Sequence, residues 1–191
     1  MVTAPRSSGP LSRAAAYQAA AATPDPELPM VTVADLGILR AVELASGQVT
    51  VTIAPTYSGC PAMAEISAGI CGRLRRAGFD RVTVRTQLAP PWSSDWITAD
   101  GRRKLAAAGI APPTAAPGPA PGPALGPRTG RAGGQRRPVP LTLAFGPPDS
   151  PPCPHCGGAR TRRTAQFGAT ACRSLHRCDE CGEPFEAVKP L

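Results

Sequence analysis

The chain has 191 residues, is 42% hydrophobic but only 4% aromatic, and carries a formal charge of +8. That length suits one ordinary domain plus a small one. No run of about 18 apolar residues occurs, which excludes a transmembrane helix, and the basic excess lies mostly outside residues 24–113, so it describes no phosphate-tracking groove.

All but Lys104 and Lys189 of the 21 basic residues are arginine, set among 25 prolines and 20 glycines. This reads as compositional bias and a solvated surface. The first 23 residues carry Arg6, Arg13 and an alanine run but no Leu/Ile/Val-rich stretch, so no secretory leader is expected. Seven cysteines cannot all pair with one another. Four of them form two CxxC pairs, which points to metal or redox use in a reducing, cytoplasmic setting.

In chain order, residues 1–23 form an alanine-rich extension with a helix over Leu11–Ala22 that ends before Pro24. A main domain follows over residues 24–113. Its first two strands, Leu36–Leu44 and Gln48–Ile53, join across Ala45-Ser46-Gly47 as a hairpin. A helix runs from Pro61 to Ala77, with Met63, Ile66, Ile70, Leu74 and Ala77 on one face, and Gly78 stops it. A third strand spans Arg81–Leu88, with Val82, Val84, Thr86 and Leu88 on one face. The strand–helix–strand order makes strands two and three parallel. A last helix covers Thr98–Ala108 and ends at Gly109. The fold class is α+β, a small mixed three-stranded sheet with helices. Residues 114–150 are a Pro/Gly-rich, disordered linker. Residues 151–191 form a cysteine-rich tail, which the linker is expected to leave independent of the main domain.

Cys60, in Thr56-Tyr57-Ser58-Gly59-Cys60-Pro61, falls between a strand and a helix whose first residue would be Pro61. Free backbone donors and the helix dipole there would lower its pKa and make it reactive or metal-competent; the plainer alternative is a buried cysteine used as a small apolar residue. Cys71, inside the helix, reads as a filler. In the tail, Cys153-Pro154-His155-Cys156 and Cys178-Asp179-Glu180-Cys181 make two knuckles with 21 residues between them. Four thiolates on two tight turns suit tetrahedral zinc, and a tail with few large apolar groups needs a metal to fold. An iron–sulfur cluster or a redox dithiol are the alternatives. Cys172 stays open as a spare ligand, an extra thiol or a filler. His155 and His176 read as surface residues beside the knuckles.

Asp25-Pro26-Glu27-Leu28-Pro29, Val33-Ala34-Asp35-Leu36-Gly37-Ile38 and Thr56-Tyr57-Ser58-Gly59-Cys60-Pro61-Ala62 resemble the metal–sulfur cluster assembly domain of iron–sulfur assembly factors. Trp92-Ser93-Ser94-Asp95-Trp96-Ile97-Thr98, Lys104-Leu105, Gly109-Ile110-Ala111-Pro112-Pro113 and Phe167-Gly168-Ala169-Thr170-Ala171-Cys172 narrow the resemblance to the PaaD (also PaaJ) family, subunits of the phenylacetyl-CoA oxygenase, or epoxidase, system of aerobic phenylacetate catabolism. The resemblance spans residues 24–113 and 151–191. The chain departs from the family in its long proline-rich linker and in Ser174-Leu175-His176, where an aromatic usually precedes the Arg-Cys pair.

The resemblance implies a non-catalytic role in maturing a multicomponent oxygenase that contains di-iron and iron–sulfur centres. Cys60 would hold iron or an iron–sulfur cluster transiently, or receive it from a carrier protein. Asp35 would be the acidic partner in cluster handling, its alternative being a turn cap. Trp92, Asp95 and Trp96 would form a docking surface; alternatively the tryptophans close the core and Asp95 caps the next helix. Two other classes compete: a stoichiometric oxygenase subunit and a nucleic-acid-binding zinc ribbon. The chain has no Gly-rich dinucleotide fingerprint and no Glu-x-x-His pair for di-iron. Phe167, Phe185 and the run Arg160, Arg162, Arg163 are thin support for nucleic acid.

Overall fold

A computed structural model describes residues 11–57, 59–114 and 150–190. The expected disordered linker therefore lies, but for its two end residues, outside the described residues, as do residues 1–10 and Ser58.

Helix α1, Arg13–Ala21, starts where the Ser12 hydroxyl accepts the Ala15 N–H at 3.1 Å, a side-chain N-cap. It is integral to the core: Ala16 and Ala20 are fully buried, and Arg13 Nε donates to the Val42 carbonyl at 2.9 Å. Strands β1, Leu39–Ala45, and β2, Gln48–Ile53, form the expected antiparallel hairpin. β2 alternates strictly and buries Val49, Val51 and Ile53, the period-two signature of a strand with one covered face.

Helix α2, Met63–Arg76, buries Ile66, Ile70 and Leu74. Its end is a Schellman motif: Phe79 N–H reaches the Leu74 carbonyl and Gly78 N–H that of Arg75, both at 3.0 Å. Strand β3, Arg81–Thr86, then pairs parallel with β2, giving the mixed order β1-β2-β3. β3 is shorter than the sequence suggests. Val82 and Val84 pack on the core, but Leu88 lies past the strand end and is 64% exposed. A 3₁₀ turn, Ser94–Trp96, leads to helix α3, Ala99–Ala107, capped by the Thr98 hydroxyl on Gly101 N–H at 3.0 Å.

Gly109 does not end the domain's regular structure. Ile110–Ala111 is a short strand, β4, that runs parallel to β7, Pro184–Val188, pairing Ile110 with Glu186 and Ala111 with Ala187. With β5, Thr161–Ala165, and β6, Arg173–Cys178, the tail forms a four-stranded sheet of order β4-β7-β6-β5. Val188 belongs to the main core, while Ala111 packs with Cys153, Cys178, Phe185 and Ala187 in the tail's own core. The expectation of an independent tail is thereby corrected: a shared ladder and a shared core join the two sheets. Among the described residues no helix is long and apolar enough to cross a membrane.

Candidate functional site

Two groups of cysteines stand out. In the tail, Cys153, Cys156, Cys178 and Cys181 bring their sulfurs within 4.8 Å of one another. Cys153 Sγ lies 3.7 Å from Cys181 Sγ, and Cys156 Sγ 3.6 Å from Cys178 Sγ. Zinc–sulfur bonds of about 2.3 Å in a tetrahedron set sulfurs about 3.8 Å apart, so the cluster fits one ion held by four thiolates. The iron–sulfur alternative would hold its cysteines around a larger body.

The two knuckles are built alike. Gly157 N–H donates to the Cys153 carbonyl at 2.8 Å, and Gly182 N–H to that of Cys178 at 3.0 Å. Both glycines have φ in the left-handed range, +74° and +80°, which a side chain would disfavour. Gly158 N–H points at Cys156 Sγ and Glu180 N–H at Cys178 Sγ, each at 3.4 Å. Backbone donors, the Cys181 N–H foremost, draw the Cys178 thiol down to about 7. The Gly158 N–H acts the same way on Cys156, yet the neighbouring thiols and burial prevail and push it up to about 12. Four sulfurs this close ionise together only around a cation.

Cys60 sits just ahead of α2, whose cap is Ala62 rather than Cys60, with no side-chain capping bond. Cys60 N–H bonds the Tyr57 carbonyl at 3.2 Å, and Met63 N–H bonds that of Cys60 at 3.4 Å, so Cys60 and Pro61 belong to a turn before the helix. The expected lowering of its pKa is reversed. Burial raises it, outweighing the facing Ala62 N–H, and the charges of Glu27, Cys172 and Asp25 push the same way. The thiol is neutral near pH 7 unless a cation joins it.

Cys60 lines a cavity of about 30 Å³, room for about two water molecules. Asp25 and Glu27 from the loop after α1, Trp92, and from the tail Cys172 and Lys189 share its walls. Asp25 Oδ1 accepts the N–H groups of Glu27 and Leu28, both at 2.9 Å. Burial raises its pKa despite those bonds. Cys172 contacts Thr170 Oγ1 at 3.1 Å, and its carbonyl takes Lys189 N–H at 2.9 Å. Burial also raises the Cys172 thiol, more than Thr170 lowers it.

Asp35 is not on the wall of this cavity; its neighbour Leu36 is. The Asp35 carboxylate accepts Thr32 N–H at 2.9 Å and Lys104 Nζ at 2.8 Å, while Asp35 N–H returns to Thr32 Oγ1 at 3.1 Å. Its side chain is only 11% exposed. Burial works to raise its pKa, but the Lys104 and Thr32 hydrogen bonds together bring it below 3.8. Two glycines let backbones close around this turn. A Cβ on Gly37, whose φ is +66°, would meet the Trp96 carbonyl at 2.5 Å, and one on Gly101 would meet that of Asp35 at 2.6 Å. Trp92 is 5% exposed and donates its Nε1 N–H to the Leu36 carbonyl at 2.9 Å. Its burial corrects the expectation of direct docking: it holds the Asp-Leu-Gly turn against the cavity. Trp96 lies under the Arg40 guanidinium at 3.5 Å. Asp95 is exposed and caps neither helix; Ser93 and Thr98 do.

Residues 13–85 match the family described as iron-sulfur cluster assembly protein, and residues 138–189 match the PaaD zinc beta ribbon domain. Over 166 residues, 87% of this chain and 86% of the relative, the sequence is 37% identical to an Escherichia coli (strain K12) protein named as a component of 1,2-phenylacetyl-CoA epoxidase. The chain belongs to the PaaD family. Two solved structures are also similar. A domain of unknown function from Bacillus anthracis shares 24% identity over 49% of this chain and 90% of its own, with a TM-score of 0.45. A Mycobacterium tuberculosis protein associated with Fe–S complex assembly and repair shares 28% identity over 54% of this chain and 94% of its own, with a TM-score of 0.30.

Two features of this PaaD-family chain escape a local reading of its sequence. His176, a surface residue by that reading, is only 1% exposed. It stacks on Phe185 with centroids 5.5 Å apart and meets Ser174 Oγ through Nε2 at 2.9 Å. The alternation Ser174, His176, Cys178 along β6 is the signal that finds it. The second feature is the pairing of Arg173 with Glu186, whose Oε1 also takes Ala169 N–H at 2.7 Å. This pair fastens the loop that carries Cys172.

Proposed function

We propose that this chain is a non-catalytic accessory subunit of a phenylacetyl-CoA epoxidase (oxygenase) system, and that it assists the assembly of the system's di-iron or iron–sulfur centre. The observation that carries this reading is the thiol of Cys60, in the part of the chain that matches iron–sulfur assembly proteins, opening on a small cavity that Asp25 and Glu27 also line. Similarity to an epoxidase component along most of the chain supplies the system.

Iron, singly or as a cluster, is the cargo. Cys60 accepts it, Asp25 and Glu27 make the cavity attractive to cations, and Trp92 adds an apolar face to its lining. Asp35 and Lys104 hold the turn that brings Leu36, and Trp92 bonded to it, to the cavity. In the tail, Cys153, Cys156, Cys178 and Cys181 hold zinc, which supplies a cross-link between the two knuckles and no redox chemistry. The other epoxidase subunits are the partners, with iron–sulfur carrier proteins upstream. Asp95 and the exposed edge of Trp96 are the residues offered for docking. The cytoplasm is the compartment in which seven unpaired cysteines are kept reduced.

The reading of a nucleic-acid-binding ribbon loses support from the charges themselves. Arg160 pairs with Glu180 and Arg162 with Asp179, so the knuckles' own carboxylates answer two of the three arginines in the basic run.

The test is turnover by purified, fully metallated epoxidase with and without this chain. The maturation reading expects equal rates. A rate that depends on stoichiometric addition would overturn it in favour of a structural subunit.

A further inference from the structure

We propose that Cys172 is the second thiolate of the Cys60 site, so that the ribbon completes the assembly domain and the two together hold one thiophilic transition-metal ion. The inference rests on the reading of Cys60 as the metal-handling thiol.

Two sulfur donors from distant parts of the sequence line one cavity, and neither belongs to the four-sulfur cluster in the knuckles. Soft thiolates select soft or borderline ions such as ferrous iron or zinc. The cavity, about 30 Å³ in volume, has room for a single ion. Asp25 and Glu27, which also line it, add negative charge, with Lys189 and the nearby Arg173 as the cations beside them.

The second donor is also held in place. Thr170 Oγ1 touches Cys172 Sγ, Lys189 N–H fixes its carbonyl, and Arg173 joins Thr170 Oγ1 at 2.9 Å to Glu186 on β7. β7 in turn pairs with β4 of the main domain. The loop that carries Cys172 is thus tied by a hydrogen-bonded path to the main domain at β4, and a fixed backbone is what preorganised metal ligands require.

The test is an anaerobic titration of the full chain, its ribbon loaded with zinc, with cobalt(II) as the probe. One cobalt should bind per chain beyond the zinc, with sulfur-to-cobalt charge-transfer absorption and X-ray absorption fitting two sulfur neighbours. Cys172→Ser and Cys60→Ser should each weaken binding by more than the roughly 10–100-fold that loss of a supporting hydrogen bond causes, while retaining zinc. Cys71→Ser, outside the cavity, should bind as wild type. No second ion in the wild type, a single sulfur neighbour, or full affinity in Cys172→Ser would each overturn the proposal. If Cys60→Ser fails to support iron loading of the epoxidase while Cys172→Ser supports it fully, this proposal falls and the maturation reading stands. If neither change matters, both fall.

Discussion

Burial decides the chemistry of single residues here more than helix dipoles do. Cys60 lies before α2, where backbone donors favour an anion, yet desolvation and the carboxylates around it hold the thiol above its ordinary value. Its alkylation rate should therefore rise with pH through a midpoint above the roughly 8.5 of a free cysteine; a midpoint below that value would show that the helix start dominates. Asp35 runs the other way, with its carboxyl held below 3.8 by Lys104 and Thr32 against the opposing effect of burial. A carboxylate whose pKa falls on folding stabilises the fold above its unfolded value, and that stabilisation is lost as the pH falls through the lower, folded value. Asp35→Asn should cost about 1–3 kcal/mol at neutral pH. Urea titrations from about pH 7 to about pH 2 should show the gap to wild type closing at the acid end. Knuckle cysteines are readable from spacing alone because the chemistry is local. The state of Cys60 is not, because it depends on side chains from three other segments.

At the scale of elements, periodicity locates β2 and α2 well, since Val49, Val51 and Ile53, and Ile66, Ile70 and Leu74, each keep their period throughout. β4 carries no such signal. It is two residues long, and its partner β7 lies at the far end of the chain, so only tertiary context defines it. That pairing changes what metal removal should do. Chelating the ribbon's metal, or making Cys178→Ser, should do more than unfold the knuckles. Amide exchange at Ile110 and Ala111 should accelerate, and the main domain should melt earlier. Unchanged exchange there would mean the two sheets open independently. Arg173 and Glu186 form the other device at this scale, largely buried. Removing one partner of such a pair commonly costs about 3–5 kcal/mol because the other charge is stranded. Arg173→Ala should loosen the loop of residues 167–172, so that maleimide labels Cys172 faster while the four-cysteine site keeps its metal.

The whole molecule is better described as two sheets joined at one cavity than as two modules on a tether. The composition change at residue 114 makes a boundary legible but cannot reveal that the chain on its two sides meets again through β4, Val188 and Cys172. The central claim is that this joint site serves the assembly of another protein's metal centre. The most direct measurement is the iron content per subunit of epoxidase components purified from cells that lack this chain, compared with cells that make it. The account predicts subunits present in normal amounts but deficient in iron, with the deficit restored by the wild-type chain and not by Cys60→Ser. Fully iron-loaded subunits from cells lacking the chain would contradict it.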